Sequence, residues 1–260
     1  MKRHLIASCI RTVIFILTLL VILHCKKDEP GNTKINIYLT DAPAYYKAVI
    51  IDIQKITIRY DGSSTEHEVL LKSPGAHNLL EYSNGADTLL GSITLPGGKI
   101  NQIRIVFGKN NIFINDSENV VLNISPGNNN SAIIKANQNI EAGKVNNIWI
   151  DIDVSRSVNV EGPGVYYFAP VARIFSDQNT GAIRGLVIPQ DLKPFVYAIS
   201  DSATIGTITN NEGYFMIKGL PIGIYSLRFV PQKPGINEAI FDNVVVKQDS
   251  ITFIGTIVIN

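Results

Sequence analysis

A two-residue alternation of apolar and polar side chains constrains the fold more than any other feature of this chain. It recurs from Ile35 to the last residue and is clearest at residues 35–39 and 148–154. Successive side chains of a β-strand point to opposite faces, so this period is typical of strands. Turn signals such as Asp61-Gly62 separate the runs, and no amphipathic helix exceeds two turns. Short, regularly spaced strands predict an all-β protein built from sandwiches or barrels.

The chain begins with a pattern typical of an export signal. Lys2 and Arg3 precede a nearly unbroken apolar run at residues 12–23. The run has about a dozen residues, fewer than the roughly 20 that a membrane-spanning helix needs. A signal peptide over residues 1–24 is therefore favoured over a permanent transmembrane anchor.

Cys25 directly follows this segment, and the arrangement resembles the bacterial lipobox. In a lipobox the cysteine is acylated and becomes the new N-terminus, and two or three acyl chains hold a protein stably on a membrane. His24 departs from the pattern, because a small residue is usual there, and an ordinary or uncleaved signal is the alternative. We expect lipidation of Cys25 and a polar tether over residues 25–32.

The composition of the remaining chain excludes several classes of function. Without residues 1–24 there are 20 basic and 22 acidic residues, a net charge of −2 that predicts no nucleic-acid partner. The other cysteine, Cys9, lies inside the signal, so disulfides, thiol catalysis and cysteine-ligated zinc are excluded.

A polar, turn-rich segment at residues 176–181 predicts a boundary between two β-sandwich domains, at residues 33–176 and 181–260. The second domain resembles the carboxypeptidase regulatory-like family, a small sandwich related to transthyretin and immunoglobulin folds. The resemblance is carried by Gly185-Leu186-Val187, by Asn211-Glu212-Gly213-Tyr214-Phe215 and by Leu220-Pro221-Ile222-Gly223. It implies a module without catalytic activity.

The first domain resembles the domain-of-unknown-function family DUF4382. The resemblance is carried by Leu39-Thr40-Asp41-Ala42-Pro43, Leu79-Leu80-Glu81-Tyr82, Leu95-Pro96-Gly97-Gly98-Lys99, Trp149-Ile150-Asp151-Ile152-Asp153 and Pro170-Val171. The resemblance implies a lipoprotein of Bacteroidota and brings no known activity or catalytic residue with it.

Few residues could form a catalytic or metal site. His67 and His77 stand in no catalytic motif. Glu66 and Glu68 flank His67 on a predicted strand, which puts the carboxylates and the imidazole on opposite faces and favours a solvated edge over a metal site. A pair of glycosidase carboxylates is not singled out. We predict no catalytic residue, no metal site and no cofactor.

The strand at residues 148–154 carries the best candidate for ligand binding. Its isoleucines share one face, so Trp149, Asp151 and Asp153 share the other. An indole can stack on a sugar ring while carboxylates accept hydrogen bonds from hydroxyl groups or bind calcium. The alternative is that a loop covers Trp149 and that the aspartates bond to neighbouring backbone amides.

These observations predict a non-enzymatic, lipid-anchored protein of the cell envelope, whose ligand is carbohydrate or another surface polymer. The alternative is an assembly subunit that contacts another envelope protein through exposed strand edges. Lys27, Asp28 and Glu29 resemble a signal that sends Bacteroidota lipoproteins to the cell surface, although any solvated tether is charged. We therefore expect an outer-membrane location with exposure on the cell surface.

Overall fold

The computed structural model describes residues 31–42, 44–126, 129–201 and 203–260. The predicted signal peptide, the lipidation site Cys25 and the charged residues 27–29 lie outside the described residues. Residues 32–260 form one compact unit. Within the described part of the chain, no helix combines the length and the apolar character needed to cross a bilayer.

Strands account for most of the described residues. The strands that surround the first hydrophobic core are β1 (Asn32–Ala42), β2 (Ala48–Tyr60), β3 (Glu66–Glu68), β4 (Leu70–Leu71), β5 (Gly75–Asn78), β6 (Thr88–Pro96), β7 (Gly98–Phe107), β8 (Ile112–Ile114), β9 (Asn119–Ile124), β10 (Ser131–Ile140), β11 (Asn146–Asp153), β12 (Val158–Gly162), β13 (Val165–Phe168) and β14 (Ala172–Ser176). The strands that surround the second core are β15 (Thr180–Ile188), β16 (Phe195–Ile199), β17 (Thr204–Ile208), β18 (Tyr214–Pro221), β19 (Gly223–Val230), β20 (Ala239–Val246) and β21 (Ile251–Val258). A short helix α1 (Val154–Ser157) and 3-10 turns at Leu79–Tyr82, Asp177–Asn179 and Gln190–Leu192 complete the structure.

Two sheets pack over the first core. One has the strand order β14-β11-β1-β6-β4, and the other runs β10-β7-β2-β8-β9-β13-β12 with β3 and β5 also paired to β2. β1 pairs with β11 in parallel and with β6 in antiparallel orientation. The inward isoleucines of β11, Ile148, Ile150 and Ile152, are fully buried. The alternation thus places the even residues of β11 in the core and Trp149 on the opposite face.

Two smaller sheets enclose the second core. Their strand orders are β18-β15-β21 and β17-β16-β19-β20. β15 pairs antiparallel with β18 and parallel with β21. Ile183, Val187, Phe215 and Phe229 lie in this core, separate from the residues of the first core. The predicted all-β sandwich fold is confirmed, and the domain boundary at residues 176–181 stays a prediction.

Candidate functional site

Trp149 lies in the middle of a stack of three aromatic rings where the two cores meet. Its register partners are Tyr38 on β1 and Phe175 on β14. The ring centroids are 5.2 Å apart for Tyr38 and Trp149 and 5.4 Å apart for Trp149 and Phe175, whose planes differ by only 5°. The neighbouring strands therefore hold the indole from both sides, and stacking at this separation is favourable.

Asp87, in the loop before β6, connects Trp149 to the second core. Its Oδ2 atom accepts a hydrogen bond from Trp149 Nε1 at 2.9 Å. The same oxygen accepts from Lys218 Nζ on β18, also at 2.9 Å. Both side chains of this ion pair are largely shielded from solvent. One carboxylate thus fixes the indole and joins β18 to the first core.

Arg173 on β14 makes a second polar connection between the cores. Its Nε donates to Asp151 Oδ2 at 2.7 Å, and Nη2 lies 2.6 Å from the same oxygen. Nη1 donates to the carbonyl of Gly219 at 2.6 Å, and Nη2 to that of Lys218 at 3.0 Å. The guanidinium carbon lies 4.8 Å from the Phe175 centroid. Asp151 is only 7% exposed and is held by this arginine.

Asn84 attaches the outer edge of β18 to the first core. Its side-chain amide donates to the carbonyl of Tyr214 at 3.1 Å and accepts from the backbone N–H of Met216 at 2.7 Å. The amide thereby makes the two backbone hydrogen bonds that a neighbouring strand would make at these residues. Asn84 adopts a φ of 55°, a left-handed conformation that asparagine tolerates better than most residues. One edge of the β18-β15-β21 sheet is therefore covered within the molecule.

Asp153 caps helix α1. Its Oδ1 accepts hydrogen bonds from the backbone N–H of Arg156 at 3.1 Å and from the hydroxyl of Ser155 at 2.7 Å. The three predicted residues thus lie on one strand face but make different contacts: Trp149 stacks, Asp151 binds Arg173 and Asp153 caps a helix. That Trp149, Asp151 and Asp153 contact a ligand directly stays a prediction.

An open groove runs beside Trp149 over the outer face of the β18-β15-β21 sheet. It consists of two adjoining cavities of about 270 and 480 Å³ that share Met216. We call it the outer-face groove, and we define it by Trp149, Arg184, Tyr214, Met216, Ile251 and Phe253.

Three of the side chains that define the outer-face groove are large, apolar or aromatic, and exposed. Tyr214 is 55% exposed, Phe253 60% and Ile251 51%. Strand pairing places Arg184 between Met216 and Phe253 in one row across the three strands. Concave surfaces with aromatic side chains and a few polar groups are typical of ligand sites.

A larger open cavity of about 710 Å³ lies elsewhere on the second core, between Ile199 and Asn243. Tyr225, the one aromatic side chain among its described lining residues, is 2% exposed and donates its hydroxyl hydrogen to the carbonyl of Pro221. This cavity therefore presents no aromatic face, and the outer-face groove is the better candidate for stacking on a ligand.

The residues around His67 form a local polar network. Glu66 accepts hydrogen bonds from Thr57 at 2.8 Å and from Arg104 at 3.1 and 3.2 Å. The Thr57 hydrogen bond, followed by those from Arg104, lowers the pKa of Glu66 below its ordinary value. Glu68 pairs with Lys55. The described residues contain no group of three or more acidic, histidine or cysteine side chains placed to hold a metal ion.

Sequence reasoning missed most of this site. Asp87 and Lys218 lie 62 and 131 residues away from their partners Trp149 and Asp87, so no local pattern could pair them. The outer-face groove did leave a signal, because residues 251–258 are apolar at both odd and even positions. A strand that is apolar on both faces is expected to be covered on both faces.

A sequence model of the family described as domain of unknown function DUF4382 matches residues 32–170, which is more than half of the chain. The chain belongs to this family. The family predicted for the first domain is confirmed, and the carboxypeptidase regulatory-like family of the second domain stays a prediction. The family region contains Asp87 and Trp149, whereas Arg173 and the groove residues of the second core follow it in sequence. Among curated proteins, none matches this sequence.

Several solved structures are similar to this chain at low sequence identity. A type II cohesin–X-dockerin complex from Acetivibrio cellulolyticus is 17% identical over 30% of this chain and 56% of the other, with a TM-score of 0.25. A leucine-rich repeat protein from Bacteroides thetaiotaomicron is 13% identical over 90% and 26%, with a TM-score of 0.22. The shaft pilin SpaA from Lactobacillus rhamnosus GG is 10% identical over 88% and 98%, with a TM-score of 0.22. The chain thus spans about half of the cohesin-complex chain and a quarter of the leucine-rich repeat protein.

Proposed function

We propose that this chain is a non-enzymatic, lipid-anchored module of the cell envelope that binds carbohydrate or another surface polymer in the outer-face groove. The observation that carries the proposal is the pair of exposed rings, Tyr214 and Phe253, on a sheet face bordered by Trp149. Aromatic rings offer a flat apolar surface on which a sugar ring can stack. The groove is also open to solvent and extends over two adjoining cavities, which gives a polymer room for more than one ring.

The contacts that the charged residues make within the protein favour a binding role over a catalytic one. Asp87, Asp151, Arg173 and Lys218 all make ion pairs or hydrogen bonds within the junction between the cores. These contacts hold the groove in shape. A general acid or base would need to reach the ligand with such a group.

A second candidate function is assembly with another envelope protein. Within the described chain, β21 pairs with β15 along one edge and has no strand partner along the other. Its sequence carries no charge and no proline, the features that usually protect an exposed edge. A partner strand could add to this edge.

An oligosaccharide array probed with the full chain separates the two candidates. Polymer binding predicts a saturable signal that Tyr214→Ala and Phe253→Ala each reduce at least about tenfold, because each removes a stacking surface. The control is Val160→Ala, which shortens a similarly exposed apolar side chain on β12 and should leave the signal unchanged. Co-purification of one envelope protein without any array signal supports assembly and contradicts polymer binding.

The cellular placement belongs to the same proposal. Cys25 carries the lipid, residues 27–29 direct the protein to the cell surface, and the second core is a carboxypeptidase regulatory-like module. The family membership and the residue patterns of the sequence support this placement.

Cys25→Ala should release the protein from membranes or leave its precursor uncut. Added protease should remove the wild-type protein from intact cells, and resistance until lysis would contradict surface exposure.

A further inference from the structure

We infer that the ligand of the outer-face groove carries a carboxylate or similar anionic group, which Arg184 binds between Tyr214 and Phe253. This inference rests on the proposed polymer binding and adds the chemical class of the ligand. It concerns the larger cavity of the groove, about 480 Å³, a volume within the range of small-molecule sites.

Among the residues that the structure describes, Arg184 is the only charged side chain that lines this cavity. It lies on β15, the central strand of its sheet, and its guanidinium carbon is 5.5 Å from the Phe253 centroid. Stacking on the ring uses the flat face of the guanidinium and leaves its N–H edges free to donate. The charge therefore lies beside an exposed aromatic surface.

The charge of Arg184 is not neutralised within the described chain. It makes no ion pair there, whereas Arg104, Arg173 and Lys218 each have a carboxylate partner. A guanidinium and a carboxylate form charge-assisted hydrogen bonds that are about twice as strong as neutral ones. An anionic ligand group would supply that missing partner.

The two asparagine side chains of the cavity already bond to the backbone. Asn84 bonds through both amide atoms to the backbone of β18. Asn210 accepts at Oδ1 from the backbone N–H groups of Glu212 and Tyr214. Arg184 is thus the group with the largest remaining capacity to donate hydrogen bonds to a ligand.

The smaller cavity of the groove has the opposite electrostatic character. Asp177 and Asp249 line it, and the charge of Lys218 is balanced by Asp87. An anionic group would be repelled from this end and attracted to Arg184. The polymer should therefore place a neutral ring beside Trp149 and its charged ring beside Phe253.

Two polymers with the same sugar ring test this inference. The first is polygalacturonate with half of its carboxylates methyl-esterified, which offers both charged and neutral rings, and the second is its fully methyl-esterified form, which carries no charge. Calorimetric titration of the full chain in detergent at low salt should show polygalacturonate binding about tenfold more tightly than the ester, since charge-assisted hydrogen bonds add to the stacking. The preference should shrink as salt is added, because salt screens exposed charges.

Arg184→Gln should abolish the preference for polygalacturonate over the ester. The matched control is Arg156→Gln, which removes an exposed arginine outside the groove and should keep the preference. Phe253→Ala should weaken the binding of both polymers, which tests whether the groove is the binding site.

Equal affinity of the wild-type chain for both polymers overturns the inference and leaves polymer binding intact. A preference that survives Arg184→Gln also overturns it. Binding of neutral oligosaccharides without any binding of polygalacturonate also overturns the inference. Absence of any oligosaccharide binding on the array contradicts the proposed function instead, so the two failures are distinguishable.

Discussion

Gly219 lies where the backbone of β18 passes directly over the ring of Phe175. Its φ is +65°, and a Cβ atom at this position would lie 2.5 Å from two ring carbons of Phe175. The carbonyl of the same residue accepts from Arg173. The close approach of the two cores therefore requires glycine here, both for the backbone conformation and for the space.

Gly219→Ala should lower the free energy of unfolding by about 3 kcal/mol, since it combines a strained left-handed residue with overpacking. The matched control is Gly223→Ala on β19, where the nearest atom to an added Cβ is 3.8 Å away. That control should change stability by less than about 1 kcal/mol. Urea unfolding of both variants provides the measurement, and equal stabilities would contradict the close packing.

At the scale of elements, the junction depends on β14 and its arginine. Arg173→Ala should destabilise the protein by about 3 kcal/mol, because it leaves the buried Asp151 carboxylate without its counter-charge. It also removes the donors to two carbonyls of β18. Arg156→Ala is the control, since that arginine is 71% exposed and lies 3.8 Å from Asp153. An exposed pair of this kind contributes less than about 1 kcal/mol, so similar losses in the two variants would count against the junction.

The polar network of β2, β3 and β7 makes stability depend on pH. Because Thr57 and Arg104 lower the pKa of Glu66 in the folded state, its contribution is complete above the unfolded value of about 4.5 and is lost as pH falls through the lowered folded pKa. Glu66→Gln should flatten the stability curve below about pH 4.5, and Thr57→Val should flatten it partly. Urea midpoints measured from pH 7 to pH 3 test this, and parallel curves for all three proteins would show that the network has no such effect.

At the scale of the whole molecule, the sequence predicted the architecture better than the site. Alternation at residues 148–154 correctly separated the buried isoleucines from Trp149, because strand period is a local property. It could not predict that Asp87 and Phe175 would hold the indole, or that Asn84 would cover β18, since these contacts depend on how distant strands pack. The apolar outer face of β21 could have been predicted from residues 251–258. The groove could not, because it also depends on how the first core packs beside this face.

The junction predicts that the two cores unfold together. Trp149 is the single tryptophan of the chain and lies at the junction, so its fluorescence reports on this region alone. Its transition in urea should coincide with the loss of β-sheet measured by far-ultraviolet circular dichroism. Arg173→Ala should move the fluorescence transition to lower urea. A wild-type fluorescence change that precedes the loss of sheet would indicate cores that are only loosely joined.

The binding surface that we propose is the groove beside Trp149, and the fluorescence of this single tryptophan reports on it. The full chain is titrated with the oligosaccharide that gives the strongest array signal. Because Trp149 borders the groove, we expect a saturable change in its emission with the same midpoint as binding measured by calorimetry. Phe253→Ala should shift both midpoints together. Calorimetric binding without any change in the emission of Trp149 would show that the ligand binds outside this groove.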